Sequence, residues 1–267
     1  MFWQLCFQAA RARRRMWLAF SAAGAGFLWL YLSVYPTVQQ QAVDYNKILE
    51  HLPKGVVAAF NISQTATTLM GFLASKHFGL VWALMLIMLT ISYGGFVVAR
   101  EVEAKTMGLL LAQPISRAQL YASRWLTGLV GLAGFVVLSE LIVWPLAHAY
   151  NYAISGREVL LIGLLGWLFG FAVLGLAMLV SAWASEGSTV TGGAGGLILV
   201  MYVAYLISSL EPNLDKLKYV SLFHYFSPGS VITDGHLSLS SVVVLFAVGL
   251  VAGAAGWLVF ERRDISV

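Results

Sequence analysis

Six long apolar stretches constrain this 267-residue chain more than any other feature of its sequence. A helix that crosses a bilayer takes ~20 apolar residues, and each stretch is close to that length. Charged residues make up only 10% of the chain, whereas soluble domains average about 25%. We therefore predict an all-α polytopic membrane protein and exclude an ordinary soluble enzyme. The six predicted spans are residues 17–35, 78–99, 125–147, 159–183, 193–210 and 239–260.

The basic residues are distributed unevenly between the two sides of the predicted bundle. Six spans place both ends of the chain on one side, and that side carries ten lysines and arginines, including the arginine cluster at 11–15. The other side carries six. Because positively charged loops stay in the cytoplasm, we expect both termini to be cytoplasmic. The net charge of +4 then signals topology and lipid contact rather than nucleic-acid binding.

The residues outside the spans form one N-terminal segment and two long external segments. Residues 1–16 carry bulky apolar side chains followed by arginines, which fits either a cytoplasmic interfacial helix or a simple flank of the first span. Residues 17–267 then form a single transmembrane domain. In the external segment 36–77 the apolar spacing predicts one or two amphipathic helices. In the external segment 211–238, Pro228 interrupts any continuous helix, so we expect a pair of short re-entrant or interfacial helices.

The segment 100–117, between the second and third spans, has the pattern of two helices joined by a break. Glu101 and Lys105 stand four residues apart in the order that favours an ion pair on a short helix. Pro114 prevents that helix from continuing. Ser116, followed three residues later by a glutamine, matches a capping box, so a second helix should begin directly after it. The result is a short surface helix with a rigid elbow that can transmit force from a cytoplasmic partner; the alternative is an ordinary solvated loop.

At these residues the chain resembles the type-2 ATP-binding-cassette permeases, which are mostly bacterial exporter membrane subunits. After their second span those proteins typically show the pattern E-x-x-x-G-T-x-x-x-L-L-x-x-P-I-S-R. The chain departs from it at Lys105, where the family usually has glycine, and at Gly108, where a polar or acidic residue is common. The matching residues are Glu101, Thr106, Leu110, Leu111, Pro114, Ile115, Ser116 and Arg117.

The resemblance implies that this segment is a coupling helix, which docks in a groove on a separate ATPase subunit. A smaller second contact would come from the loop 184–192. The residues that the resemblance assigns to these contacts are Glu101, Glu103, Thr106, Leu110, Leu111, Pro114, Ser116 and Arg117, with Glu186 in the second one. The resemblance also implies an exporter in a bacterial inner membrane, in which two copies, or one copy and a similar permease, pair beneath two ATPases.

The chain has no G-x-x-x-x-G-K-[ST] phosphate loop. We therefore expect ATP and Mg²⁺ to bind the partner subunit, and we expect no cofactor, metal site or catalytic residue in this chain. An ATP-independent secondary transporter or channel is the alternative. That class calls for inverted repeats and for more polar residues at the midplane, which the sequence does not show.

Glu140 is the one acidic residue well inside a predicted span. A charged group that faces lipid there costs at least ~2.5 kcal/mol, so we expect this side chain to face the bundle or a water-filled path. Two roles stay open at this point. Glu140 could be a polar contact in the transport path, or it could bond serines or the backbone groups freed near Pro145.

Overall fold

The computed structural model describes residues 1–40, 68–111, 114–152 and 154–263. These residues form helices and connecting turns, and six helices are long and apolar enough to cross a membrane: α1, α2, α5, α6, α7 and α10. A 3₁₀ helix, Pro212–Val220, precedes α8. The six-span, all-α prediction is therefore confirmed. The helices are α1 (Phe2–Gln40), α2 (Leu69–Val97), α3 (Ala99–Glu103), α4 (Met107–Leu111), α5 (Arg117–Ala149), α6 (Gly156–Trp183), α7 (Gly187–Leu210), α8 (Leu222–Tyr225), α9 (Pro228–Asp234) and α10 (Leu239–Arg262).

Helix α1 runs without a break for 39 residues. At 1.5 Å per residue it is about 58 Å long, well beyond the ~30 Å hydrocarbon core of a bilayer. The segment 1–16 and the span 17–35 therefore belong to one helix, whereas the sequence left open a separate interfacial helix or a simple flank of the first span. The physical reason is local, because no glycine or proline precedes Gly24 and the alanines and arginines of this stretch favour helix. The interfacial position of residues 1–16 stays a prediction.

Helix α2 begins at Leu69, earlier than the span predicted from residue 78. The Thr68 hydroxyl caps its start by accepting the Gly71 N–H at 3.1 Å. Residues Ala74–Trp82 then wind as a π-helix before α-helical geometry resumes. The amphipathic helices expected in the external segment fall mainly within residues 41–67, which lie outside the described residues.

Helix α6 is the centre of the bundle and contacts α2, α5, α7 and α10. Small residues let its neighbours approach closely, as in many membrane bundles. Gly175 of α6 packs against the backbone of Gly249 in α10, and Gly94 of α2 packs against Ala177 of α6. Helix α1 packs along α5 on the flank of this core.

The segment before α10 contains the expected pair of short helices, α8 and α9. Pro228 is at the first turn of α9, where its missing N–H costs nothing. Phe226 stacks on Phe169 of α6 with 4.4 Å between ring centroids, and Val231 is buried. The pair therefore packs on the bundle rather than standing apart from it.

Candidate functional site

Helix α3 ends in a Schellman turn centred on Lys105. The Thr106 N–H donates to the Glu101 carbonyl at 3.0 Å, and the Lys105 N–H donates to the Val102 carbonyl at 3.0 Å. These are the two bonds that define the motif. Lys105 has a φ of 55°, in the left-handed region where glycine is the usual residue. A lysine therefore occupies a position whose backbone geometry favours glycine.

The Glu101 side chain ties this turn to helix α5. Its carboxylate accepts the Thr106 hydroxyl at 2.5 Å and pairs with the Arg124 guanidinium at 3.4 Å. Arg124 is only 5% exposed, so this ion pair is largely shielded from water. The expected pair between Glu101 and Lys105 is wrong, because α3 ends at Glu103 and Lys105 lies beyond the helix, in the turn.

The second half of the segment is an elbow that leads into α5. Ser116 caps α5: its hydroxyl accepts the Gln119 N–H at 3.1 Å, and the Gln119 side chain accepts the Ser116 N–H at 3.2 Å. This confirms the predicted capping box. Pro114 is exposed in front of it. Leu110 is half-buried within α4 and Leu111 is the last residue of that helix.

Glu103 points across the surface to the start of α7. Its carboxylate accepts the Gly187 N–H at 3.0 Å, so it supplies the cap that α7 lacks from its own N-cap residue, Glu186. A negative charge at a helix N-terminus is favoured by the helix dipole. Glu186 is exposed, and its carboxylate accepts the Ser188 hydroxyl at 3.1 Å.

Two arginines, Arg117 and Arg263, bond backbone carbonyls on the same surface. Arg117 donates to the backbone carbonyls of Glu261, at 3.4 Å, and of Arg263. Arg263 in turn donates to the carbonyls of Ala182 and Ala184 at 3.0 and 2.8 Å. Partial burial lowers the pKa of the Arg263 guanidinium, although arginine stays charged at neutral pH.

Arg263 also donates to the Ser185 hydroxyl at 2.9 Å, which joins these bonds into one network. The network runs from Glu103 to Gly187, back along the chain to Ser185, on to Arg263 and then to Arg117. We call these five residues the polar clasp. It joins the segment 99–117, the turn between α6 and α7, and the end of α10. Three of its bonds are charge-assisted and are therefore stronger than neutral hydrogen bonds.

Glu140 lies far from the polar clasp, in the other half of α5. Its carboxylate fills the space above Gly163 of α6, where any side chain would overlap with it. Its Oε1 atom is buried and has no hydrogen-bond partner among the described residues. The nearby Ser139 hydroxyl donates to the Phe135 carbonyl instead. Glu140 thus faces a neighbouring helix, but the serine bond considered from the sequence does not form in the described chain.

A family model described as ABC-2 family transporter protein matches residues 7–265. The chain belongs to this family. It is therefore the permease subunit of an ABC transporter and a multi-pass membrane protein. ABC-2 membrane proteins work with separate ABC ATPase partners and are not themselves ATPases. No curated protein matches the chain.

The ABC-2 sequence pattern now has a structural explanation. In this member its glutamate and threonine, Glu101 and Thr106, are the residues bonded across the Schellman turn, and its glycine position is the left-handed residue, here Lys105. In this chain the turn is therefore formed despite the lysine.

Sequence reasoning missed three residues that shape this surface: Arg124, Gly187 and Arg263. In the sequence, Arg124 and Arg263 contributed only to the count of basic residues that predicts the topology, and Gly187 matched no motif. Their partners lie 23 to 146 positions away along the chain, so local spacing could not reveal them. The one available hint was Arg263 directly after the last span, where a basic side chain can reach helix C-terminal carbonyls.

Proposed function

We propose that the segment 99–117 and the turn between α6 and α7 form the docking surface for an ABC ATPase, and that this permease is the membrane half of an exporter. One observation carries the proposal. The segment is held to the bundle on its inner side by Glu101 and Arg124, while Glu103, Ala104 and Lys105 are exposed on its outer side. A short helix that is exposed on one side and attached to the membrane helices on the other can transmit a movement of the ATPase to those helices.

The division of labour follows from the same proposal. The partner subunit binds ATP and Mg²⁺ and hydrolyses the nucleotide, and two permeases, identical or similar, pair in a bacterial inner membrane. Both termini and the docking surface lie in the cytoplasm. Closure of the ATPases moves the segment 99–117, and the bundle tilts to release substrate outward.

Co-purification tests the docking surface. Ala104→Trp places a bulky ring on the exposed turn without touching the clasp bonds, so we expect the tagged full chain to lose its ATPase partner. Arg157→Trp is the matched control, because Arg157 is exposed at the opposite end of the bundle. Equal recovery of an ATPase with both variants would contradict this docking surface.

ATP dependence separates the proposal from the alternative of a secondary transporter or channel. Purified chain alone should lack ATPase activity above background, and the complex in vesicles should transport only with ATP. Transport driven by an ion gradient in the absence of any ATPase would favour the alternative class instead.

A further inference from the structure

A group of arginines surrounds Phe96, the second-last residue of helix α2. The Arg13 guanidinium of α1 lies 4.0 Å from the centre of the Phe96 ring, and the Arg124 guanidinium of α5 lies 5.0 Å from it. Cations favour the faces of aromatic rings. Because α2 ends at Val97, this group lies at the level where the membrane helix stops.

The positive charges of this group outnumber the negative ones. The charges of Arg100 and Arg124 act unfavourably on Arg13, and the charge of Glu101 acts favourably on it. Glu101 uses one oxygen for Arg124 and the other for Thr106. The Nε atom of Arg124 is buried and has no hydrogen-bond partner among the described residues, which is costly. Arg13 is half-buried, so its guanidinium is the one that an anion can approach.

An apolar groove of about 350 Å³ opens between α1 and α5, the two helices that carry Arg13 and Arg124. Arg13 lies between Ala10 and Trp17 on α1, and Arg124 precedes Leu126 on α5. The aromatic residues at its rim are not covered by the protein, with Trp3 74% and Phe7 67% exposed. Residues that line the groove include Trp3, Phe7, Ala10, Trp17, Leu126 and Val130.

We propose that this groove and the arginines Arg13 and Arg124 form a binding site for one anionic phospholipid. An acyl chain fills the groove, and the headgroup phosphate lies beside the two guanidinium groups. Tryptophan at the groove fits the headgroup level of a membrane. The six positions from Arg124 to Val130 cover about 9 Å along the helix, which leads from the headgroup into the acyl region.

Charge selects the class of lipid. Arg13, Arg100 and Arg124 outnumber Glu101 and Glu103 at this end of the bundle, so a lipid with net negative charge gains over a zwitterionic one. Each arginine near an anionic surface contributes about 1 kcal/mol, which corresponds to about a fivefold change in binding constant. A free phosphate ion would use the arginines but would leave the groove empty.

Native mass spectrometry of the full chain in detergent tests the site, with phosphatidylglycerol, phosphatidylcholine and inorganic phosphate as separate probes. We expect wild type to bind phosphatidylglycerol more tightly than phosphatidylcholine. Arg13→Gln should weaken phosphatidylglycerol about fivefold and weaken phosphatidylcholine less, because its choline group offsets the charge of the phosphate. Arg11→Gln is the matched control, because Arg11 is exposed and does not stack on Phe96, and it should keep the wild-type preference.

A groove variant separates a lipid from a soluble anion. Ala10→Trp fills the groove but keeps both arginines, so it should reduce binding of phosphatidylglycerol severalfold. The proposal is overturned if wild type binds both lipids equally, or if Arg13→Gln behaves as Arg11→Gln does. It is also overturned if Ala10→Trp has no effect while inorganic phosphate binds in an Arg13-dependent way, since the site would then recognise the ion alone. The melting temperature of each variant, measured in the same detergent, shows that it is folded.

Discussion

At the scale of single residues, the left-handed conformation of Lys105 yields the sharpest prediction. A non-glycine residue in this conformation costs roughly 1–2 kcal/mol, whereas glycine adopts it freely but loses more chain entropy on folding. We expect Lys105→Gly to raise the free energy of unfolding by about 0.5–1 kcal/mol. Lys105→Val, with a branched side chain at the same φ, should lower it. Denaturation of the purified chain with each substitution measures both signs, and a lower stability for the glycine variant would contradict the turn geometry.

Arg263 allows a second test at this scale. Arg263→Ala removes bonds to Ala182, Ala184 and Ser185. A hydrogen bond from a charged group contributes about 1.5–3 kcal/mol to the free energy of unfolding. We expect faster hydrogen exchange at the end of α6 and weaker ATPase stimulation in the complex. Arg262→Ala serves as the control, since Arg262 is the exposed residue just before it. Unchanged exchange in both variants would mean that the polar clasp does not hold this end.

His224 provides a dependence on pH outside the spans. Its partial burial and the nearby charge of Lys218 lower the pKa of this histidine below its usual 6.5. The unfolded chain then takes up a proton more readily than the folded one, so stability must fall as pH drops below about 6.5. His224→Gln should remove part of that loss, measured as the difference in unfolding free energy between neutral and mildly acidic buffer. The same difference in wild type and variant would exclude His224 as its source.

At the scale of elements, the capping box decides where the elbow ends and α5 begins. Replacing an N-cap serine by alanine typically costs about 1 kcal/mol, so Ser116→Ala should lower stability by that amount and expose the first turn of α5 to hydrogen exchange. Ser116→Asp keeps a side-chain acceptor and should stay near wild type. If the alanine and aspartate variants exchange alike, the cap does not fix this boundary.

Local sequence patterns predicted where helices begin and end better than they predicted which side chains bond to each other. The capping box at Ser116 and the break before α9 depend on residues a few positions apart, and both are present in the structure. The pairing of Glu101 was wrong because a distant arginine, Arg124, and the neighbouring Thr106 compete for its carboxylate. The sequence left open whether residues 1–16 form a separate helix, and α1 is continuous because a change from polar to apolar composition does not by itself interrupt a helix.

At the scale of the whole molecule, Glu140 is the residue on which a prediction about transport can be tested. Its buried, unpartnered oxygen lies between α5 and α6, and Glu140→Gln keeps its shape while removing its charge. We expect transport by the complex in vesicles to fall about tenfold, equivalent to about 1.4 kcal/mol, with the chain still folded and bound to its ATPase. Normal transport, or loss of folded protein alone, would contradict a role in the transport path.

The six spans could be predicted from the sequence because each is a run of consecutive apolar residues long enough to cross a bilayer. The proposed docking surface was visible in the sequence only as a segment, since its shape depends on contacts among α3, α5, α7 and α10. The arginines around Phe96 were counted for topology, yet their grouping requires α1 and α5 to lie side by side. Family resemblance supplied the expected partner, and tertiary structure supplied the geometry.

The polar clasp has a mechanical consequence. Bodies that are cross-linked have fewer independent motions than separate ones, as in a linkage of hinged bars. A rotation of helix α3 strains the bond from Gly187 at the start of α7 to Glu103. A shift of Arg117 at the start of α5 strains its bond to Arg263, which in turn is bonded to the end of α6. A displacement applied at one of these points is thereby passed to the ends of α5, α6, α7 and α10.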